Sequence, residues 1–489
     1  MIKNFKWLLL VSLAFVACNN DDEDTTPAEV PITPGSAVFT KYIALGDSFA
    51  AGYSDGALFA KGQQGSYANV LSQQFAPAGG GAFTTPLMQD NIGGLLFGGN
   101  VILGPRLYFN GVGPVPVSGK PTTEVTTHLT GAFNNMGVPG AKSFHLLAAG
   151  YGNVAGVPSG AANPYFARFA SSSTATILGD AVAQKPTFFS LFIGGNDVLS
   201  YAISGGVGKN QKGNMNPATY GSNDITDPTV FASVYASLID GLMLSGAKGV
   251  VANLPNVSAL PYFTTVPYNP VPLTKDLAAQ LNAGYATYNG GLKAMVANKL
   301  LTEEEAVRRT IKFVEGNNAV VIDDSYLTNL TGYGIPSYRQ ATKGDFMVLI
   351  ARNFIGTAVG GDPTKVNGLS VPLADSWVLS KDEVAEVVLA TNAYNDAIKA
   401  VADSKGLALV DTRAVMAQLS NGGINFGNFN MTSAFVTGGA FSLDGIHPSA
   451  RGYGLIANIF VDAINAKYNS TLRHVDLGNY PIQYPAIIK

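Results

Sequence analysis

One cysteine stands in the 489 residues. A single thiol excludes an intrachain disulfide, a cysteine-based zinc site and a CxxC redox pair. Histidine is nearly as scarce, at four. Neither sign of charge dominates: 30 Lys+Arg face 33 Asp+Glu, for a net charge of −3. That balance leaves no basic footprint for nucleic acid. Beyond the N-terminus no run reaches the ~18 continuous apolar residues of a membrane-spanning helix. Several catalytic signatures are missing too. There is no HExxH, and Ala50 stands where a GxSxG elbow needs its second glycine. Gly119-Lys120 is followed by Pro121 and Gly208-Lys209 by Asn210, so neither makes a phosphate loop.

What is present is a large apolar fraction, 47%, enough for a sizeable core. The 56 glycines and 26 prolines stay below the ~25–30% of low-complexity chains and indicate a loop-rich globular protein. The N-terminus reads as an export signal over residues 1–17: Lys3 and Lys6 precede a short apolar run, Trp7 to Ala17. The run ends at Cys18, a placement that resembles a bacterial lipobox, with Phe15 where that motif usually has Leu. Behind it, Asn19-Asn20-Asp21-Asp22-Glu23-Asp24 resembles the surface-export tether of Bacteroidetes lipoproteins. The expectation is a chain lipidated at Cys18 and anchored to the outer membrane or cell surface of a Gram-negative bacterium. The plainer reading is an ordinary cleaved signal with an incidental cysteine. Residues 18–37 read as a flexible tether, and the folded body is expected from Val38.

Five short runs read as buried parallel strands: Tyr42–Leu45, Ala132–Met136, Thr187–Ile193, Gly249–Ala252 and Leu407–Val410. Asn134 and Asn135 interrupt the second. Helical patterns lie between them at Tyr67–Phe75, Lys142–Ala149, Thr174–Ala183, Val230–Leu244, Leu277–Ala297 and Lys381–Ala402, and Ala450–Lys467 closes the body. Alternating strands and helices predict a doubly wound α/β sheet. Long insertions fall near 77–131 and 258–380, and the body over 38–489 reads as one catalytic domain. Two similarly worded helix–strand pieces, ending at Ala319–Ile322 and Leu407–Val410, suggest a weak internal echo, for which chance is the safer account.

Three motifs carry the chemistry. Gly46-Asp47-Ser48-Phe49 follows the first strand, so its serine falls at the carboxyl edge of the sheet, where α/β folds place ligands. Gly194-Gly195-Asn196-Asp197 follows the third strand and offers an amide N–H at the same edge. Asp444-Gly445-Ile446-His447-Pro448-Ser449 precedes the last helix, and an Asp three residues before a His can orient the imidazole. Each alone is ordinary turn or capping chemistry. His128, His145 and His474 are read as structural, and Asp47 and Asp197 as turn-stabilising carboxylates.

In this order the three motifs resemble the SGNH, or GDSL-type, hydrolase superfamily. A counterpart to that family's second block lies in Asn135-Met136-Gly137-Val138-Pro139-Gly140, with Gly140 the better match and Gly137 the fallback. Phe49 replaces the usual Leu. The resemblance implies a flavodoxin-like, three-layer α/β/α fold with a five-stranded parallel sheet. It implies Ser48 as nucleophile, His447 as general base and then acid, and Asp444 as its orienting carboxylate. It also implies an oxyanion hole from the backbone N–H groups of Ser48 and Gly140 and the side-chain amide of Asn196, with no cofactor and no metal. Expected substrates are acyl lipids, for which Leu260, Tyr262, Phe263 and Tyr268 would wall a groove, or acetylated carbohydrates. The competing expectation is a non-catalytic, glycan-binding surface lipoprotein on the same scaffold.

Overall fold

The computed structural model describes residues 31–426 and 428–488. The export segment 1–17, Cys18 and most of the tether lie outside the described residues. The body begins before Val38: Thr33 N–H donates to Thr471 Oγ1 (2.8 Å), Ser36 N–H donates to the Tyr468 carbonyl (2.8 Å), and Ala37 is buried.

Five strands form one parallel sheet: β1 (Tyr42–Gly46), β2 (Asn135–Gly137), β3 (Phe188–Phe192), β4 (Lys248–Ala252) and β5 (Ala408–Val410), in the order β5-β4-β3-β1-β2. Leu45 of β1 sits opposite Met136 on one side and Leu191 on the other. Every residue of β1 and β3 is buried, which is why these runs are apolar without alternation. The strand order reverses beside β1, making the carboxyl ends of β1 and β3 the topological switch point where such sheets bind ligands.

Helices supply the outer layers. α2 (Tyr67–Phe75) packs on α6 (Ala450–Tyr468), and α4 (Pro228–Met243) packs on α5 (Lys381–Lys405). Local chemistry sets their ends. Asp227 caps α4 ahead of Pro228, Ser380 and Glu383 form a capping box on α5, and Gly406 closes α5 at φ +64°. Two very short or middling helices matter for the site: α1 (Ser48–Ala51) after β1 and α3 (Asn196–Ile203) after β3.

Three expected elements differ. The second strand shifts to Asn135–Gly137, because the two asparagines are buried anchors rather than interruptions. Asn134 Nδ2 donates to the Tyr42 carbonyl (2.9 Å) and Asn135 Nδ2 to the Ala50 carbonyl (2.8 Å). The helix expected over Lys142–Ala149 is a single 3₁₀ segment, Ser143–Leu147, whose first residue is tied to Asp197 through its N–H and its hydroxyl, both at 2.8 Å. The helix expected over Leu277–Ala297 breaks at Tyr285 into Lys275–Gly284 and Ala286–Ala297. The Ala319–Ile322 piece also stays off the main sheet. Val321–Asp323 pairs antiparallel with Tyr338–Gln340, beside a buried Arg339 that bridges Asp324 (2.5 Å) and Asp345 (2.7 Å). Hairpins fill the earlier insertion as well, Leu95–Phe97 with Asn100–Leu103 and Leu107–Phe109 with Pro114–Pro116.

Candidate active site

Asp47 begins the site. Its carboxylate accepts from Phe49 N–H (3.0 Å) and caps α1, so Ser48 becomes the first helical residue at the sheet edge. Burial pushes the Asp47 carboxyl up to about 7, against the pull of the Phe49 N–H and of His447. At the far end of the chain Ser449 caps α6, accepting from Gly452 N–H (3.0 Å) and donating to the Gly439 carbonyl (2.6 Å). That cap holds the Asp444–Pro448 loop against α1.

The two ends meet. His447 Nε2 lies 2.9 Å from Ser48 Oγ, and His447 Nδ1 lies 2.8 Å from Asp444 Oδ2. A carboxylate facing Nδ1 holds the hydrogen there and leaves the Nε2 lone pair to accept from the serine hydroxyl. Burial alone would raise the Asp444 carboxyl. The charge and hydrogen bond of His447, with the Ile446 and His447 backbone N–H groups, hold it below the usual carboxylate range. The rings of Tyr53 and Phe49 stand 4.6 and 5.7 Å from the imidazole, centroid to centroid.

The expected oxyanion donors converge on the same edge. Ser48 N–H is the first of α1, and Gly140, at φ +80°, is exposed with open space around it. Neither amide has a hydrogen-bond acceptor among the described residues. Gly137, by contrast, donates to Asn135 Oδ1 (3.0 Å), and a Cβ on it would lie 2.3 Å from Ala51 N, so it serves close packing. Asn196 is less free than its motif suggests. Its Nδ2 donates to the Ala141 carbonyl (3.0 Å) and lies 3.5 Å from Asp47 Oδ2, which leaves its second hydrogen weakly engaged. Asp197 is fully buried and receives Ser143, in keeping with a structural carboxylate.

One part of the site was missed by the motif reading. The turn Ser54–Ala57 clasps the Asp444 loop: Ser54 Oγ donates to the Pro448 carbonyl (3.1 Å), Gly56 N–H to Asp444 Oδ2 (3.0 Å), and Asp55 N–H to Ser442 Oγ (2.9 Å). Asp55 Oδ1 in turn accepts from Leu443 N–H (3.0 Å), while its buried Oδ2 has no hydrogen-bond partner among the described residues. Because Ser442 Oγ accepts from Asp55, its own hydrogen is committed to Asp444 Oδ1 (3.0 Å). The sequence signal available was Asp55-Gly56, a turn dipeptide just beyond the serine.

Tyr262 and Phe263 are core rather than groove wall, Tyr268 is only partly buried against that core, and Leu260, though buried, lines a narrow apolar pocket with Phe49 and Pro448. Tyr262 N–H donates to the Gly445 carbonyl (3.0 Å), so this stretch buttresses the Asp444–Pro448 loop. Of the remaining histidines, His128 is exposed and His474 Nε2 faces Asp462 at 2.7 Å. His145 stacks on Tyr151. Among the described residues no group of His, Cys, Asp or Glu gathers as a metal site.

No protein-family model and no curated protein matches the chain. Among solved structures it is similar to an acetylxylan esterase from Geobacillus stearothermophilus, at 10% identity over 88% of this chain and 97% of that one, with a TM-score of 0.31. It is similar also to an extracellular lipase from Streptomyces rimosus, at 12% identity over 88% and 99%, with a TM-score of 0.29.

Proposed function

We propose that this chain is a serine ester hydrolase of the SGNH type, cleaving carboxylic esters of lipids or of acetylated carbohydrates through an acyl-enzyme on Ser48. The observation that carries the reading is the hydrogen-bonded line Ser48 Oγ–His447 Nε2, 2.9 Å, and His447 Nδ1–Asp444 Oδ2, 2.8 Å, at the carboxyl edge of a parallel sheet. In this mechanism His447 Nε2 takes the Ser48 proton as Oγ bonds to the ester carbonyl carbon. Negative charge collects on the former carbonyl oxygen, facing the N–H groups of Ser48 and Gly140 and the Asn196 amide. Collapse breaks the bond to the alcohol oxygen, which receives the proton from His447. Water then attacks the acyl-enzyme, its proton passing through His447 to Ser48 as the acid leaves. Lipidation at Cys18 would hold this body at a membrane surface.

The test is hydrolysis of a p-nitrophenyl ester series by protein freed of residues 1–18, beside Ser48→Ala. Turnover should fall by at least ~10³ in the variant. In the parent, kcat/KM should fall on acidification, because an imidazolium cannot accept the serine proton. Asp444 does not supply that fall, since it is held ionised to lower pH than an ordinary carboxylate. Turnover retained by Ser48→Ala would overturn the mechanism.

A further inference from the structure

A groove of about 1110 Å³ opens at Gly140 and runs across the loops that follow β2 and β3. Its size is that of a generous ligand site, ~300–1,000 Å³ being usual. Phe97, Ile102 and Leu103 of the first inserted hairpin form one wall, with Phe144 and Leu147 after β2 and Ile203 at the end of α3 opposite. Among the described residues no carboxylate and no arginine lines it. The Lys142 ammonium is turned away, donating to the Asp224 carbonyl at 2.6 Å. His145 accepts Lys142 N–H at Nδ1 (3.0 Å), and burial beside Lys142 holds its imidazole down at about 4, so it is uncharged at neutral pH. The Asn163 amide is likewise engaged, donating to the Pro139 carbonyl at 2.8 Å.

The rim is apolar as well. Val101, Ile102 and Leu103 are 49%, 41% and 37% exposed. Single exposed apolar side chains are ordinary, but Ile102 and Leu103 are exposed on the wall of the groove itself, beside the exposed Val101 of the same strand.

Chemistry decides which arm of an ester enters. His447 must protonate the departing alcohol oxygen, so the alcohol lies on the side of the Asp444–Pro448 loop. The groove departs from Gly140 and includes no residue of that loop. The arm it receives is the acyl arm. We propose that this groove takes the acyl chain of a long-chain lipid ester, with its apolar rim resting on the lipid surface that supplies the ester. The proposal rests on the serine-hydrolase reading and narrows its substrate.

The test uses the full chain carrying Cys18→Ala, so that no anchor contributes, with and without Leu103→Asp at the exposed groove wall. Across p-nitrophenyl acetate to palmitate, kcat/KM should rise roughly fourfold per buried methylene until the groove is filled. Leu103→Asp should flatten that rise, lowering kcat/KM for palmitate far more than for acetate. With Ser48→Ala added, the protein should still bind a fluorescent C16 fatty acid and co-sediment with phosphatidylcholine vesicles, and Leu103→Asp should weaken both. Acetate hydrolysis with a flat chain-length profile and no effect of Leu103→Asp would overturn the acyl groove while leaving the serine hydrolase standing. So would a preference for acetylated xylo-oligosaccharide over every long-chain ester. Should no ester turn over, the hydrolase reading fails, and fatty-acid binding alone decides the groove: loss of that binding in Leu103→Asp supports it, and absence of binding overturns it.

Discussion

Asp444 accepts five hydrogen bonds, from Ser442 Oγ, Ile446 N–H and His447 N–H at Oδ1 and from Gly56 N–H and His447 Nδ1 at Oδ2. Such a carboxylate has little freedom to rotate, and through it His447 has little either. Ser48, Asn196, Asp444 and His447 were all legible as residues because each sits in a short motif with a backbone role of its own. Asp55 was not, because its partners Ser442 and Leu443 are almost four hundred positions away. Its backbone is left-handed at φ +52°, and burial, with Asp444 nearby, pushes its carboxyl up to about 7. An unfolded Asp titrates near ~3.9, so between ~4 and ~7 the folded state binds the extra proton. Stability contributed by this proton is therefore lost as pH rises through that window, by up to ~4 kcal/mol. Asp55→Asn keeps the shape, tolerates the positive φ and does not titrate. Urea midpoints at pH 5 and 8 should shift in favour of the variant at pH 8. A gap between the two proteins that is equal at both pH values would show that Asp55 is ionised in the fold.

At the scale of elements, four residues of helix carry Ser48, the proposed nucleophile. α1 ends at once, with Gly52 at φ +85° returning its N–H to the Ser48 carbonyl (3.0 Å). The helix is placed by what lies beneath it. Gly137 at the end of β2 approaches so closely that an added Cβ would meet Ala51 N at 2.3 Å and Ala50 C at 2.7 Å. Gly137→Ala should therefore displace α1, costing ~1–3 kcal/mol in stability and lowering kcat more than it changes KM. Steady-state kinetics beside a urea melt would check this, and a variant with parental kcat would show that Ser48 does not depend on that contact. The motif reading placed a functional glycine in this segment and held Gly137 in reserve. Only the strand register, Gly46 beside Gly137, separates the packing glycine from Gly140 with its unpartnered N–H. The same distinction explains the shifted second strand: asparagines look like interruptions in a line of sequence and become anchors once neighbouring carbonyls surround them.

Over the whole molecule, the C-terminal segment returns to brace the site from outside. Arg106 is fully buried and donates to the Pro485 (2.6 Å) and Ala486 (3.1 Å) carbonyls, while its guanidinium lies 5.2 Å over Phe59 and Tyr484 packs edge-on to that ring at 5.1 Å. The next residue, Leu107, donates its N–H to the Asp55 carbonyl at 2.7 Å, linking the tail to the Ser54–Ala57 turn. Deleting residues 481–489 leaves a buried cation short of two acceptors and should cost about 3 kcal/mol, read as a lower urea midpoint. An unchanged midpoint would make the tail peripheral. The amino-acid sequence by itself determined the apolar strands, the order of the motifs and the residues proposed as the triad, because each is written in neighbours a few positions apart: a capping Asp before Ser48, three residues from Asp444 to His447, a continuous apolar run for a strand covered on both faces. The tertiary structure alone decided that Ser48 and His447, 399 positions apart, stand 2.9 Å from one another, that Asp55 clasps their loop, and that Tyr262 and Phe263 are core while a groove opens at Gly140. Those outcomes depend on which surfaces the closed sheet brings together, and contacts between distant segments leave no local pattern in the chain.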